Sequence, residues 1–154
     1  MHRDPAEMSG LMMAIQFGTK GLAGFALGLL YKRKGVRAPL FATTAAFGIA
    51  LVWAWTVPGY GYLAVFAFVG AGQLGGIYFP NAVLSWSPSA TAARDLSILG
   101  LASVMASIAP PIYGQVTDRW GFPASLMLGF CIAMTGLMLV FGLPARAREK
   151  TAAA

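Results

Sequence analysis

Apolar residues fill five stretches of membrane length, each closed by polar residues or by proline and glycine. Crossing about 30 Å of hydrocarbon takes about 20 helical residues. The runs from Ser9 to Leu30, Ala38 to Val57, Tyr60 to Leu84, Leu96 to Gly114 and Phe122 to Leu143 all come close to that length or exceed it. The pattern predicts an all-α, polytopic membrane protein with five transmembrane helices. Pro58-Gly59 parts the second run from the third, and the segment SWSPSATAARD parts the third from the fourth. Residues 1–8 read as an N-terminal tail, residues 9–143 as one helical bundle and residues 144–154 as a polar C-terminal tail.

Composition supports this class. Of 154 residues, 58% are hydrophobic and only 10% charged, whereas a soluble domain carries about a quarter charged residues. A signal peptide would also place an apolar run after Arg3. This run, however, continues to Leu30 and ends in Lys32, Arg33, Lys34 and Arg37 instead of a small-residue cleavage site, so it reads as a span. Cys131 is the single cysteine and lies inside an apolar run, which excludes a disulfide framework or a thiolate metal site.

The net charge of +6 falls in short clusters between apolar blocks, without the aromatic interleaving of a nucleic-acid surface. It reads instead as a topology signal. With the segment Gly28 to Val36 in the cytoplasm, that side collects Lys32, Arg33, Lys34, Arg37, Arg94, Arg146, Arg148 and Lys150, eight of the eleven basic residues. Arg3 and Arg119 fall on the other side and Lys20 within a span. Cytoplasmic loops carry the excess of Lys and Arg, so the N-terminus is expected outside and the C-terminus inside.

A recurrence sharpens the architecture. GLLYKRKGV, Gly28 to Val36, returns as GQVTDRWGF, Gly114 to Phe122, with Gly28 matching Gly114, Leu30 matching Val116, Arg33 matching Arg119 and Gly35 matching Gly121. Each copy reads as a short polar hinge between apolar spans. Three spans lie between them, so they face opposite sides, the arrangement of an inverted 3+3 helix repeat in secondary transporters. Its first unit is incomplete by one helix. In the second copy, Gly114, Gly121 and Asp118 are expected to set a tight turn and cap.

GLLYKRKGVRAPL resembles the cytoplasmic loop motif of the major facilitator superfamily, G-x-L-x-D-R-x-G-x-R, as it occurs between the eighth and ninth of twelve helices. Gly28, Leu30, Arg33, Gly35 and Arg37 match, while Lys32 stands at the acidic position. IAPPIYGQVTDRWGFPASL is similar to the end of the eleventh helix, the outer loop and the start of the twelfth, with Pro111 and Gly114 in P-x-x-G spacing. The resemblance implies that the five spans correspond to helices eight to twelve. It further implies a secondary carrier of a small solute in a bacterial cytoplasmic (inner) membrane, working by alternating access. Its missing N-terminal helices would come from a longer reading frame or a partner chain, and the five spans alone are not expected to transport.

Polar side chains are tolerated along a wet pathway and excluded from a lipid face. The second and fifth spans lack amides and charges and are expected at the periphery. The first carries Gln16 and Lys20, the third Gln73, Tyr78 and Asn81, and the fourth Ser103, Ser107 and Tyr113. In the family the eighth, tenth and eleventh helices line the cavity, which agrees. Lys20 sits about ten residues from either end of its span, with Gln16 one turn before it on the same face. One role is a contact for an anionic solute group or a coupling element. The other is structural, as a partner of a further helix or a chain snorkelling through local water.

Gln73 and Asn81 share a helical face and suit either solute hydrogen bonding or interhelical bonding. Glycine pairs at Gly24 and Gly28 and at Gly72 and Gly76 favour close helix approach, as does the small-residue row through Gly100, Ser103 and Ser107. Pro110-Pro111 should kink the fourth span.

GAGQLG, Gly70 to Gly75, matches the G-x-G-x-x-G dinucleotide fingerprint, with Asp95 twenty residues on. The glycines sit inside a membrane-length run, and SWSPSATAAR cannot supply the strand that would present the acid. Neither this match nor the five acids, Asp4, Glu7, Asp95, Asp118 and Glu149, makes an enzyme site. No cofactor and no metal are expected. The rival to a carrier is a small non-transporting membrane assembly or accessory protein.

Overall fold

A computed structural model describes residues 5–143. Arg3, Arg146, Arg148, Lys150 and the tail at 144–154 lie outside the described residues. Among the described residues there is no strand. Seven α-helices, α1 (Pro5–Lys34), α2 (Arg37–Thr56), α3 (Ala64–Gly72), α4 (Gly75–Trp86), α5 (Ala92–Ala106), α6 (Ala109–Trp120) and α7 (Phe122–Gly142), follow one another, with a 3-10 turn at Gly59–Leu63. They combine into five helices long and apolar enough to cross a membrane: Ala6–Lys34, Arg37–Thr56, Gly59–Trp86, Ala92–Trp120 and Phe122–Gly142.

The helices overrun the expected polar hinges. Tyr31 to Lys34 continue α1, and Gln115 to Trp120 continue α6, so the connections shrink to Gly35-Val36 and to Gly121. Basic residues in the last turn of each, Lys32, Arg33 and Lys34 in α1 and Arg119 in α6, complement the partial negative charge of a helix C-terminus. Residues 5–8 are helical and begin α1. The third and fourth spans are interrupted. Gln73-Leu74 forms a tightened turn in which the Leu74 N–H reaches the Ala71 carbonyl at 3.3 Å. The break between α5 and α6 falls at Ser107-Ile108, one turn before Pro110-Pro111, because those imides cannot donate to the preceding turn.

Both hinge glycines end their helices alike. Gly35 has φ 76° and Gly121 φ 83°, and each N–H bonds the carbonyl four residues back, Tyr31 at 2.9 Å and Thr117 at 2.8 Å. Gly121, with ψ 167°, lies in backbone space that is essentially closed to side-chain-bearing residues. Gly114, its partner in the motif, sits inside α6 with open space where a Cβ would go. Gly121→Ala is therefore expected to cost about 1–3 kcal/mol. Gly114→Ala should be neutral or stabilising, by up to about 1 kcal/mol, as for glycine inside a helix. Thermal melts of the two variants in detergent, followed by circular dichroism, check this, and equal melting points would contradict it.

The second span lies at the centre, not at the edge. α2 packs on α1, α3, α4 and α7 and buries about a third of its apolar stretch, more than the fourth span does. Its buried residues are Pro39, Leu40, Thr43, Ala46, Gly48 and Ala50, mostly small. Absence of polar groups suits a helix buried among helices as well as one facing lipid, and small residues decide for close contact. α7, also expected outside, packs along α2 on one side and α6 on another. At one end Val36, Leu40, Ala82 and Val140 form a buried cluster, with Tyr78, Trp86 and Leu143 against it. Large apolar side chains point outward instead, among them Leu22, Phe25, Met138 and Leu139. That inversion of small-inside and large-outside suits a hydrocarbon solvent and supports an integral membrane protein.

Candidate functional site

The glycines of GAGQLGG form the crossing point of the bundle, in helical backbone. Gly70 touches α1 so closely that a methyl group there would overlap the Gln16 carbonyl. Gly72 lies against the Phe47 ring of α2, and Gly75 near Thr43. The third span thus threads between the first two, and the fingerprint match reflects helix crossing.

That crossing positions Lys20. Gln16 and Gly24, one turn before and one turn after it, both meet the third span, at Gly70 and at Leu74 respectively. Residues four apart share a helical face, so Lys20 belongs to the face of α1 that meets that span. It is half-buried, and among the described residues it has no ion-pair partner, since Arg94–Asp95 at 3.5 Å is the one ion pair there. The acids described, Glu7, Asp95 and Asp118, all lie in the first or last turn of a helix, far along the chain from the middle of α1.

The remaining candidates do not gather into one cavity. Tyr78 and Asn81 line an open pocket of about 470 Å³ with Tyr31, Leu84 and Ser85 at the α1–α2 hinge end, and the Tyr31 and Tyr78 rings lie 6.5 Å apart. Gln73 is exposed at the break between α3 and α4, which interrupts the helical face it was expected to share with Asn81. Ser103 on α5 and Ser107 in the break that follows it are exposed, and each hydroxyl donates to a carbonyl of α5, Leu99 at 3.4 Å and Val104 at 2.6 Å. Among the described residues α5 packs chiefly on α4, whereas the Lys20 face of α1 packs on α3. A larger groove of about 740 Å³ runs along α2 and α7, walled by Phe47, Leu51, Val69, Tyr113 and Leu139, and is almost wholly apolar.

Of the loop-motif residues, Arg37 has the most definite role. Its guanidinium donates to the Phe141 carbonyl and lies 4.9 Å from the centroid of that ring. The start of α2 is thereby clamped to the C-terminal turn of α7, where carbonyls lack helical partners. Arg33 is exposed, and Gly28 has no neighbour within 4 Å of a built Cβ. Asp118 and Arg119 are exposed and form no ion pair among the described residues. The expected Asp118 cap is replaced by a hydroxyl staple. Thr117 Oγ1 and Ser125 Oγ lie 2.5 Å apart and 2.9 and 3.0 Å from the Tyr113 carbonyl, so one hydroxyl donates to the other and the second donates to that carbonyl.

The Arg37 clamp and the Ser125 staple join residues far apart or across a turn, so motif spacing alone could not reveal them. The signal for Gly70 was present, in a glycine-rich run within an apolar span. No family model matches the sequence, and no curated protein or solved structure matches it either.

Proposed function

We propose that the chain is the C-terminal part of a secondary active transporter of the major facilitator type, carrying a small organic anion across a bacterial cytoplasmic membrane. The observation that carries this reading is Lys20, a half-buried ammonium with no acidic partner among the described residues, midway along a helix of membrane length. An intramembrane cation is costly and marks solute or ion pathways. The motif copies at Gly35 and Gly121 add support, since three spans separate them and each glycine ends its helix with the same hydrogen bond. An inverted repeat of this kind accompanies alternating access.

Five spans supply only one wall of such a pathway. Gln73, Asn81 and Ser103 are exposed, and a closed route needs further helices, from additional residues of the same protein or a partner chain. Membrane vesicles containing the completed assembly are expected to take up labelled mono- or dicarboxylates down an imposed ion gradient. Vesicles reconstituted with the five spans alone should not. Uptake by the five spans alone would remove the need for further helices, and no solute-dependent uptake by the completed assembly would sink the carrier reading. A second reading, a non-transporting membrane assembly, is favoured by α5, which exposes Ile98, Leu101 and Val104. It predicts a stable homo-oligomer without uptake.

A further inference from the structure

The first hinge holds a set of cations beside an apolar wall, with no acidic side chain paired to them among the described residues. Lys34 and Arg37 line an open pocket of about 400 Å³ whose remaining surface includes Leu30, Phe41 and Phe141. Lys32 and Arg33 stand exposed in the same last turn of α1. No side chain caps the N-terminus of α2 at Val36, so its free amides offset part of the negative potential that the last carbonyls of α1 bring to the same place. Arg37 is already oriented by the Phe141 carbonyl and ring, and a guanidinium carries five donors, leaving most of the fork open.

Nothing acidic among the described residues answers this charge. Asp95 is engaged by Thr91 at 3.1 Å and by Arg94. Glu7 lies at the far end of α1, about 40 Å of helix away, and Asp118 precedes the opposite end of α7. The pocket sits where α1 ends, α2 begins and α7 ends, the level at which a membrane presents its headgroups.

We propose that this pocket binds the phosphate of an anionic phospholipid, with Lys34 and Arg37 on the phosphate oxygens and an acyl chain along Phe41 and Phe141. A lipid phosphate is favoured over free phosphate because the cations adjoin an apolar wall on which Phe141 is 64% exposed, so one molecule meets both. Basic pockets between membrane helices are established sites for anionic headgroups. The site rests on the membrane-spanning reading and is independent of any transport activity.

The test is native mass spectrometry of the full chain in detergent with dioleoyl phosphatidylglycerol, dioleoyl phosphatidylcholine, glycerol 1-phosphate or inorganic phosphate. Phosphatidylglycerol adducts should exceed phosphatidylcholine adducts, and Lys34→Gln should weaken them about fivefold, the effect of removing one cation near a lipid surface. Arg37→Gln also removes the clamp to α7, so Lys34→Gln is the decisive variant, and Arg119→Gln at the other end should change nothing. Equal adducts for the two lipids, no loss in Lys34→Gln or an equal loss in Arg119→Gln would overturn the site. Displacement of phosphatidylglycerol by equimolar glycerol 1-phosphate would reassign it to a soluble phosphate. Alkaline carbonate extraction separates the two levels: release of the chain sinks the spanning reading, whereas retention without lipid preference sinks only the site.

Discussion

Gly70→Leu is expected to unfasten the first span from the third and lower stability by about 3 kcal/mol or more, at the upper end of core overpacking. The group in the way is the Gln16 carbonyl, a backbone atom, so no rotamer change can relieve the overlap. Either α1 moves outward, giving up its contact with α3, or the α1 helix distorts at Gln16 and loses hydrogen bonds. Gly28→Leu and Gly76→Leu are the controls, since nothing lies within 4 Å of a Cβ at either site. Unfolding in mixed micelles of rising denaturing-detergent content, followed by circular dichroism, gives the comparison. If Gly70→Leu unfolds with its controls, the close crossing is not a determinant of the bundle.

Lys20→Met is expected to do the reverse for stability while abolishing transport. An ammonium at mid-membrane costs up to about 3 kcal/mol on insertion scales, and Lys20 is half-buried with no acid to offset the cost. Methionine keeps the unbranched length and the helix propensity, so only the charge is removed. The full chain should therefore melt higher, and the completed carrier should lose uptake of labelled carboxylates. A lower melting point would mean that Lys20 is held by a partner, and the structural role would then stand. Unchanged uptake with unchanged anion preference would remove Lys20 from the pathway.

The candidate residues show how far polarity reads along a membrane chain. Lys20, Tyr78 and Asn81 were visible because a charge, phenol or amide within an apolar run is conspicuous, but their distribution over separate places was not. The expected shared face of Gln73 and Asn81 assumed a continuous helix, and the tightened turn at Gln73-Leu74 interrupts it. Ser103 and Ser107 looked like cavity residues, yet their hydroxyls bond their own backbone. A serine in a membrane helix satisfies itself in this way at little cost, so its presence carries weak information.

What the chain determined by itself is local: five apolar lengths, their breaks at Pro58, Pro88 and Gly121, and the glycines that end α1 and α6. Hydrocarbon thickness and backbone sterics act on consecutive residues, so consecutive residues reveal them. Tertiary structure alone decided which helices meet. α2 was expected outside and lies at the centre, Gly70 proved to abut the backbone of α1, and Arg37 bonds Phe141 across more than a hundred residues. In an apolar medium neither side of a helix is driven inward by hydrophobicity, so neighbours are chosen by shape, small residue against backbone. Shape complementarity is a property of pairs of surfaces, and no periodicity within one helix records it.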